Sequence, residues 1–223
     1  LSNMTGLPKP TIARITNTLV SLGYLKQLTN STKYTLDIGV LALGYSALSN
    51  ISARVHAHPF MEAMANYAQA PVAMATRDRL NMIYLDVVQH DLNLTMRRPI
   101  GSTLPLHSSA MGRACLAAME ESERNFLMNA LAKRHGDDWP QMKRNLERAF
   151  RDYQDYGYCL SIGEWQKDVN SVAVPLVHSK HGLLVFNCGA PSYLLSQEKL
   201  ENEIGPRLIH MVHNIQEALN LSS

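Results

Sequence analysis

Thr5-Gly6-Leu7-Pro8-Lys9-Pro10-Thr11-Ile12-Ala13-Arg14-Ile15-Thr16-Asn17-Thr18-Leu19-Val20-Ser21-Leu22-Gly23-Tyr24-Leu25 is the stretch from which the fold is read. Gly6 permits the positive φ of a tight turn, Pro8 and Pro10 suit a first helical turn whose N–H groups lack intrahelical partners, and Gly23 suits the position just after a helix. The spacing predicts a helix between Pro8 and Leu22. Within it Ile12, Ile15, Leu19 and Leu22 fall on one stripe of a helical period, which predicts a core face. The opposite face carries Pro10, Ala13, Arg14, Asn17 and Ser21. Arg14 and Asn17 are base-reading types, since a guanidinium fork matches guanine O6/N7 and a carboxamide matches adenine N6/N7. The same pattern describes the solvated face of any amphipathic helix, and charge distribution separates the two readings.

Residues 1–36 contain Lys9, Arg14, Lys26 and Lys33 and no Asp or Glu. The whole chain has 21 Lys and Arg against 19 Asp and Glu, so removing those four leaves 17 against 19 for the remainder. A basic module is joined to a slightly acidic one. Phosphate neutralisation needs such a local surplus, whereas an overall charge of +2 says nothing about partners. Tyr24 to Leu28 and Lys33 to Leu36 flank the polar Thr29-Asn30-Ser31-Thr32, which predicts a β-hairpin with a four-residue turn. A helix followed by such a hairpin is a winged helix-turn-helix, with Lys26 and Lys33 on the wing as phosphate contacts. The chain opens on Leu1, and Leu1 to Met4 reads as the last turn of the helix that precedes a recognition helix; the N-terminus is expected to be incomplete.

Here a resemblance becomes specific. Gly6-Leu7-Pro8-Lys9, Thr11 and Arg14, then Leu19 with Leu22-Gly23-Tyr24-Leu25, then the hairpin end at Tyr34 and Leu36, resemble the N-terminal half of the IclR (isocitrate lyase regulator) family of bacterial transcription factors. The chain departs from the family at Pro10, where Ser is usual. By this resemblance Lys9, Thr11 and Arg14 lie at the DNA-facing start of the helix. Leu104-Pro105-Leu106-His107-Ser108-Ser109-Ala110-Met111-Gly112-Arg113-Ala114-Cys115-Leu116-Ala117 resembles the loop and helix start of the family's ligand domain, and Gly157-Tyr158, Glu164 and Ser171 to Leu176 follow the same pattern. The resemblance covers essentially the whole chain. It implies a GAF-like C-terminal domain, dimers that can pair into tetramers, and an effector pocket at Ala110, Met111, Ser161, Ser171, Phe186 and Cys188. Helix-start N–H groups attract anions, so a carboxylate effector there also makes physical sense without the family.

The remaining chain fits that frame. Ile38, Leu41, Ala42, Tyr45 and Leu48 keep helical spacing across Asp37 to Asn50, which predicts a linker helix and a domain boundary near Ser52. Pro59 to Ala68 is predicted helical with Phe60, Met64 and Tyr67 inward. Val72 to Thr76 and Met82 to Val88 are predicted as a hairpin, and Leu94 to Arg97 as a third strand. Gly101 to Ser109 reads as a polar loop, and Ala110 to Met119, Glu121 to Ala132 and Pro140 to Tyr156 as helices, the last with Leu146, Phe150 and Tyr153 inward and Gly157 as its stop. A last strand is expected at Leu183 to Cys188. A closing helix capped by Ser196 should be kinked or split at Gly205-Pro206.

Composition bounds the alternatives. With 223 residues and 46% hydrophobic content the chain can bury a large core, and no apolar run approaches the roughly 20 residues that span a bilayer. No secretory leader pattern opens it, so a cytoplasmic location is expected. Cys115, Cys159 and Cys188 show no paired spacing and read as small buried hydrophobes. A hydrolase-like enzyme could use His107-Ser108-Ser109 with Cys115, or Glu164 with Asp168, yet no Gly-x-Ser-x-Gly, His-Glu-x-x-His or phosphate-cradling loop is present. The pairs His56/His58 and His178/His181 lack the spacing of a helical metal site. No catalytic residue, metal or cofactor is therefore expected.

The sequence reading is an α+β protein (α/β in the broad sense). Residues 1–36 form a partial winged helix-turn-helix domain, residues 37–52 a linker helix, and residues 53–223 a GAF-like effector domain with an antiparallel sheet flanked by helices. The expected partners are double-stranded DNA with two half-sites, a small organic or aromatic acid, and a second copy of the chain. The alternatives are the enzyme and a sensor module without DNA binding.

Overall fold

The computed structural model describes residues 1–89 and 98–221. Its contacts divide the chain into two compact units, Leu1–Ile51 and Ser52–Ser223. In the first, a one-turn helix α1 (Ser2–Thr5) leads through Gly6 into α2 (Lys9–Ser21). Strands β1 (Leu25–Gln27) and β2 (Tyr34–Leu36) pair antiparallel, with Lys26 opposite Thr35, and α3 (Gly39–Ser49) follows. Helix α2 stops as its sequence predicts. Gly23, at φ 73°, lets its own N–H reach the carbonyl of Val20 while the Tyr24 N–H reaches Leu19, the paired bonds of a Schellman end.

The inner face of α2 differs from the expected stripe. Thr16 is its buried residue, whereas Ile15 is 43% and Leu22 57% exposed. A hydroxyl can occupy that position because Thr16 Oγ1 donates to the carbonyls of Ile12 and Ala13, so it brings no unpaired polar group inside.

The second unit is one six-stranded antiparallel sheet with helices on both faces. Its strands are β3 (Val72–Asp78), β4 (Asn81–Val88), β5 (Thr103–Pro105), β6 (Cys159–Ile162), β7 (Val169–His178) and β8 (Gly182–Pro191), in the order β5-β4-β3-β8-β7-β6. Helices α4 (Ala53–Ala68) and α9 (Gly205–Leu221) pack together over one face. The other face is covered by α5 (Ala110–Ala118), with α6 (Glu121–His135) and α7 (Trp139–Tyr156) beyond it. Side chains alternate between these layers, so Ala73, Ala75, Ala173 and Val185 lie on the α5 face and Val72, Met74, Val172, Phe186 and Cys188 on the α4/α9 face.

A bulge breaks that alternation. Met74 pairs with Asp86 but Ala75 with Tyr84, leaving Leu85 as an extra residue on β4. Tyr84 and Val87 consequently share the α5 face, while Asp86 turns toward α4, where its carboxylate meets His58 Nδ1 at 2.8 Å and Arg54 at 3.9 Å. No alternation rule applied to the sequence foresees this.

Several boundaries also move. Helix α4 starts at Ala53, not Pro59, and carries Pro59 inside it. Met64 is buried as expected, but Tyr67 is 41% exposed and Phe60 half-buried. Tyr67 stacks on the Arg207 guanidinium at 3.6 Å and donates to Glu203 at 2.6 Å, a rim position suited to an aromatic ring with a polar tip. The segment read as a polar loop contains β5, and β6 was not anticipated. The strand expected at Leu94 to Arg97 lies outside the described residues. At the C-terminus the Ser196 hydroxyl accepts from the Lys199 N–H and opens α8 (Gln197–Lys199), which a π-helical turn, Leu200–Ile204, joins to α9. The expected split at Gly205-Pro206 takes that form, since Pro206 has no N–H to continue a regular ladder. Cys115, Cys159 and Cys188 are all fully buried.

Candidate functional site

A narrow cavity lies between the sheet and the start of α5. Ala73 of β3, Tyr84 and Val87 of β4, and Ser171, Asn187 and Gly189 of β7 and β8 form its floor. Ser109, Ala110 and Met111 close one end, and Arg98 and Trp165 another. Ser109 is a true N-cap. Its hydroxyl accepts the Gly112 N–H at 3.1 Å and donates to the Pro105 carbonyl at 2.7 Å, and the first-turn residues Ala110 and Met111 line the cavity. Gly112 lets this helix start seat against the loop, because a Cβ there would run into the backbone of Leu106. On the floor, Ser171 pairs across to Gly189, and a Cβ at Gly189 would come within 2.9 Å of the Ser171 Cβ, so the missing side chain keeps the slot open.

The effector set drawn from the sequence divides in two. Ala110, Met111 and Ser171 line this cavity. Ser161 pairs with Ser171 in the sheet and shares its face, but its hydroxyl is buried and donates to the Ser108 carbonyl at 2.8 Å, which makes it a support for the loop before α5. Phe186 and Cys188 do not line this cavity: both point to the α4/α9 face, and their neighbours Asn187 and Gly189 face the cavity instead. In a strand, neighbouring positions point to opposite faces, so a step of one residue turns a side chain from the cavity to the helix layer. Arg98, Trp165 and Tyr84 were missed. They come from separate loops and a bulged strand, and no spacing in the sequence connects them.

Beside the cavity runs a polar cleft of about 830 Å³ in which Arg113, Glu164 and Arg148 meet. Arg113 is buried and gives Glu164 a two-pronged contact at 2.9 and 2.6 Å, with a third bond to the Leu160 carbonyl at 2.8 Å. Arg148 of α7 adds 2.8 Å to the same carboxylate. Burial pushes the Glu164 pKa up, but the hydrogen bonds and charges of Arg113 and Arg148 outweigh it and hold the carboxyl below the usual range. These charges satisfy one another, and Glu164 fixes the loop that carries its neighbour Trp165.

Side chains of catalytic type in this domain are engaged with other partners. The Ser109 hydroxyl is committed to the helix cap, and the Cys115 thiol is pushed up to about 12, first by burial. His107 packs against His135 with ring centroids 4.5 Å apart and the planes tilted by 58°, and Glu164 is tied to arginines. His58 bonds Asp86 and His178 Nδ1 accepts the Lys180 N–H, and no group of metal-ligating side chains is present among the described residues.

In the first unit, Lys9, Arg14 and Asn17 are exposed on α2 and Thr11 is half-buried at its start. Pro8 occupies the N-cap without a side-chain bond, and Pro10 lies in the first turn. Lys33 is exposed on the hairpin. Lys26 is drawn to Asp37 at 3.5 Å, the first acid after the basic segment, so the wing's positive charge is partly neutralised there.

Residues 45–217 match the model of the IclR C-terminal domain of bacterial transcriptional regulators, and residues 1–29 match the IclR helix-turn-helix domain. The chain belongs to the IclR family of bacterial transcriptional regulators. Among IclR-family relatives, the HTH-type transcriptional regulator TsaQ1/TsaQ2 of Comamonas testosteroni is 34% identical over 97% of this chain and 79% of its own length. The structure of an IclR-family regulator from Brucella abortus is 61% identical with a TM-score of 0.94, covering 98% of this chain and 83% of that one. An IclR homologue from Microbacterium hydrocarbonoxydans, solved in complex with 4-hydroxybenzoate, shares the fold at 19% identity and a TM-score of 0.73, over 99% and 89% of the two chains. This IclR-family chain thus combines a helix-turn-helix DNA-binding region with a C-terminal ligand-binding domain.

Proposed function

We propose that this IclR-family regulator binds a small organic or aromatic acid in the cavity at the start of α5, and that the acid changes its affinity for an operator of two half-sites. The observation that carries the reading is the cavity itself: an apolar slot closed by a capped helix N-terminus, with the Ser171 hydroxyl and Asn187 amide on its floor. The 4-hydroxybenzoate held by the Microbacterium relative supports an aromatic acid as the class. Lys9, Thr11, Arg14 and Asn17 are the proposed groove contacts, with Lys33 and a partly neutralised Lys26 on the backbone. One helix reads only a few base pairs, so operator specificity calls for a dimer. The exposed Ile38, Leu41 and Tyr45 on and beside α3 supply an apolar surface for that pairing.

Gel shifts on the protein's own upstream region, repeated with a panel of organic and aromatic acids, test the proposal. A retarded band whose midpoint moves with one or more acids is expected. Ser171→Trp should abolish the ligand-induced rise in Tm while leaving the band intact. An undiminished rise would place the ligand elsewhere.

A further inference from the structure

The cavity has a one-sided charge pattern. Among the described residues its lining contains one cation, Arg98, and no Asp, Glu, Lys or His. Arg98 is half-buried, and its guanidinium carbon lies 4.6 Å from the centroid of the Trp165 ring. Other arginines of this domain, Arg54, Arg77, Arg113 and Arg148, have carboxylate partners, but no described carboxylate lies within ion-pair distance of Arg98. A half-buried guanidinium resting on an indole face is stabilised by the ring, and its fork of N–H donors has no hydrogen-bond partner among the described residues.

The rest of the lining describes what those donors would meet. Trp165 and Tyr84 present ring surface, and Val87, Leu104 and Met111 add apolar walls. Burial holds the Tyr84 phenol at about 12 despite the nearby Arg98 charge, so it stays neutral. The free space is only about 40 Å³, room for little more than water. A ligand of any size must therefore shift a side chain, and Arg98, with its long stem, is the most adaptable group in the lining. Trp165 is the less mobile partner of the stack, because Arg113 and Arg148 hold the adjacent Glu164.

We propose that Arg98 is the anion-recognising residue of this cavity, that it exchanges its stack on Trp165 for a fork contact to a ligand carboxylate, and that the ligand class is a flat aromatic acid bearing a single negative charge. This rests on the cavity reading above and adds the residue and the charge of the ligand. One guanidinium compensates one buried carboxylate; a second carboxylate would lose its hydration with no described cation to meet it. The ring of the ligand takes the place on Trp165 that the guanidinium leaves.

The test uses the whole chain in titration calorimetry with benzoate, its neutral isostere benzamide, and terephthalate, which carries two carboxylates. Wild type should bind benzoate at least about tenfold more tightly than benzamide, the scale of a charge-assisted contact, and should bind terephthalate more weakly than benzoate. Arg98→Gln should remove the preference for benzoate while leaving benzamide affinity unchanged. In a Trp139→Phe background, benzoate should shift Trp165 emission, and Arg98→Gln should reduce that shift. If Arg98→Gln keeps the preference while Ser171→Trp abolishes binding, the cavity stands and the role of Arg98 is overturned. If Ser171→Trp leaves benzoate binding intact, the cavity reading itself fails. A wild-type chain that binds none of the probes, or prefers terephthalate, overturns the singly charged aromatic class.

Discussion

Arg14 projects from an exposed face of α2, and its own carbonyl accepts the Thr18 hydroxyl, an interaction that leaves the guanidinium uncommitted to that bond. In the proposed complex it reads one base, so Arg14→Ala should relax selectivity at one position in each half-site by about 1–3 kcal/mol. Selection of binding sites from a randomised pool measures this, and an unchanged consensus would remove Arg14 from the reading role. His107 makes a second prediction at this scale. Burial, then His135, Arg113 and Arg134, lower its pKa from 6.5 to about 4. A group with a depressed folded pKa contributes stability that is present above its unfolded value and lost as pH falls. Tm should therefore drop between pH 6.5 and 4, and His107→Gln should flatten that part of the profile, as scanning calorimetry at a series of pH values would show.

At the scale of elements, α5 is the piece on which the ligand domain turns. Its cap at Ser109 and its first turn line the cavity, its third residue must be Gly to fit against Leu106, and its fourth, Arg113, reaches away to Glu164. Gly112→Ala would gain helix propensity but drive a methyl group into backbone, and the collision should win: a loss of about 3 kcal/mol, read from denaturant unfolding of the chain. A neutral or stabilising result would mean that the loop before α5 yields freely. Much of this element was legible from the apolar and small residues between Ala110 and Ala117, whereas the capping role of Ser109, read as part of a polar loop, was not. The β4 bulge was not, because an extra residue is defined only against the strand it pairs with.

At the scale of the molecule, the first unit exposes large apolar side chains in one stretch. Ile38 is 77%, Leu41 67% and Tyr45 71% exposed, and α3 has no buried residue. A helix with so many solvent-facing hydrophobes calls for a partner, and a second copy supplies one in the proposed dimer. Leu41→Glu should shift sedimentation from dimer toward monomer and weaken operator binding, while leaving the ligand-induced rise in Tm in the second unit. A dimer that persists undiminished would place the pairing surface elsewhere. No helix among the described residues is long and apolar enough to cross a membrane.

The stretch from Thr5 to Leu25 determined by itself a helix with its turn and its stop, since glycine and proline act through their own backbones and need no neighbour. The basic composition of residues 1–36 was equally local and equally readable, as were most helices and the longer strands, whereas the short β5 and β6 are strands only through their pairing with β4 and β7. Which side chains share a cavity was decided only by the tertiary structure. Arg98, Trp165, Tyr84 and Asn187 are far apart in the chain, and strand register, a bulge and a buried ion pair bring them to one place. Asn187 and Gly189 face the cavity while Phe186 and Cys188 face the helices for the same reason: the face of a strand is a property of its pairing, and a shift of a single residue reverses it.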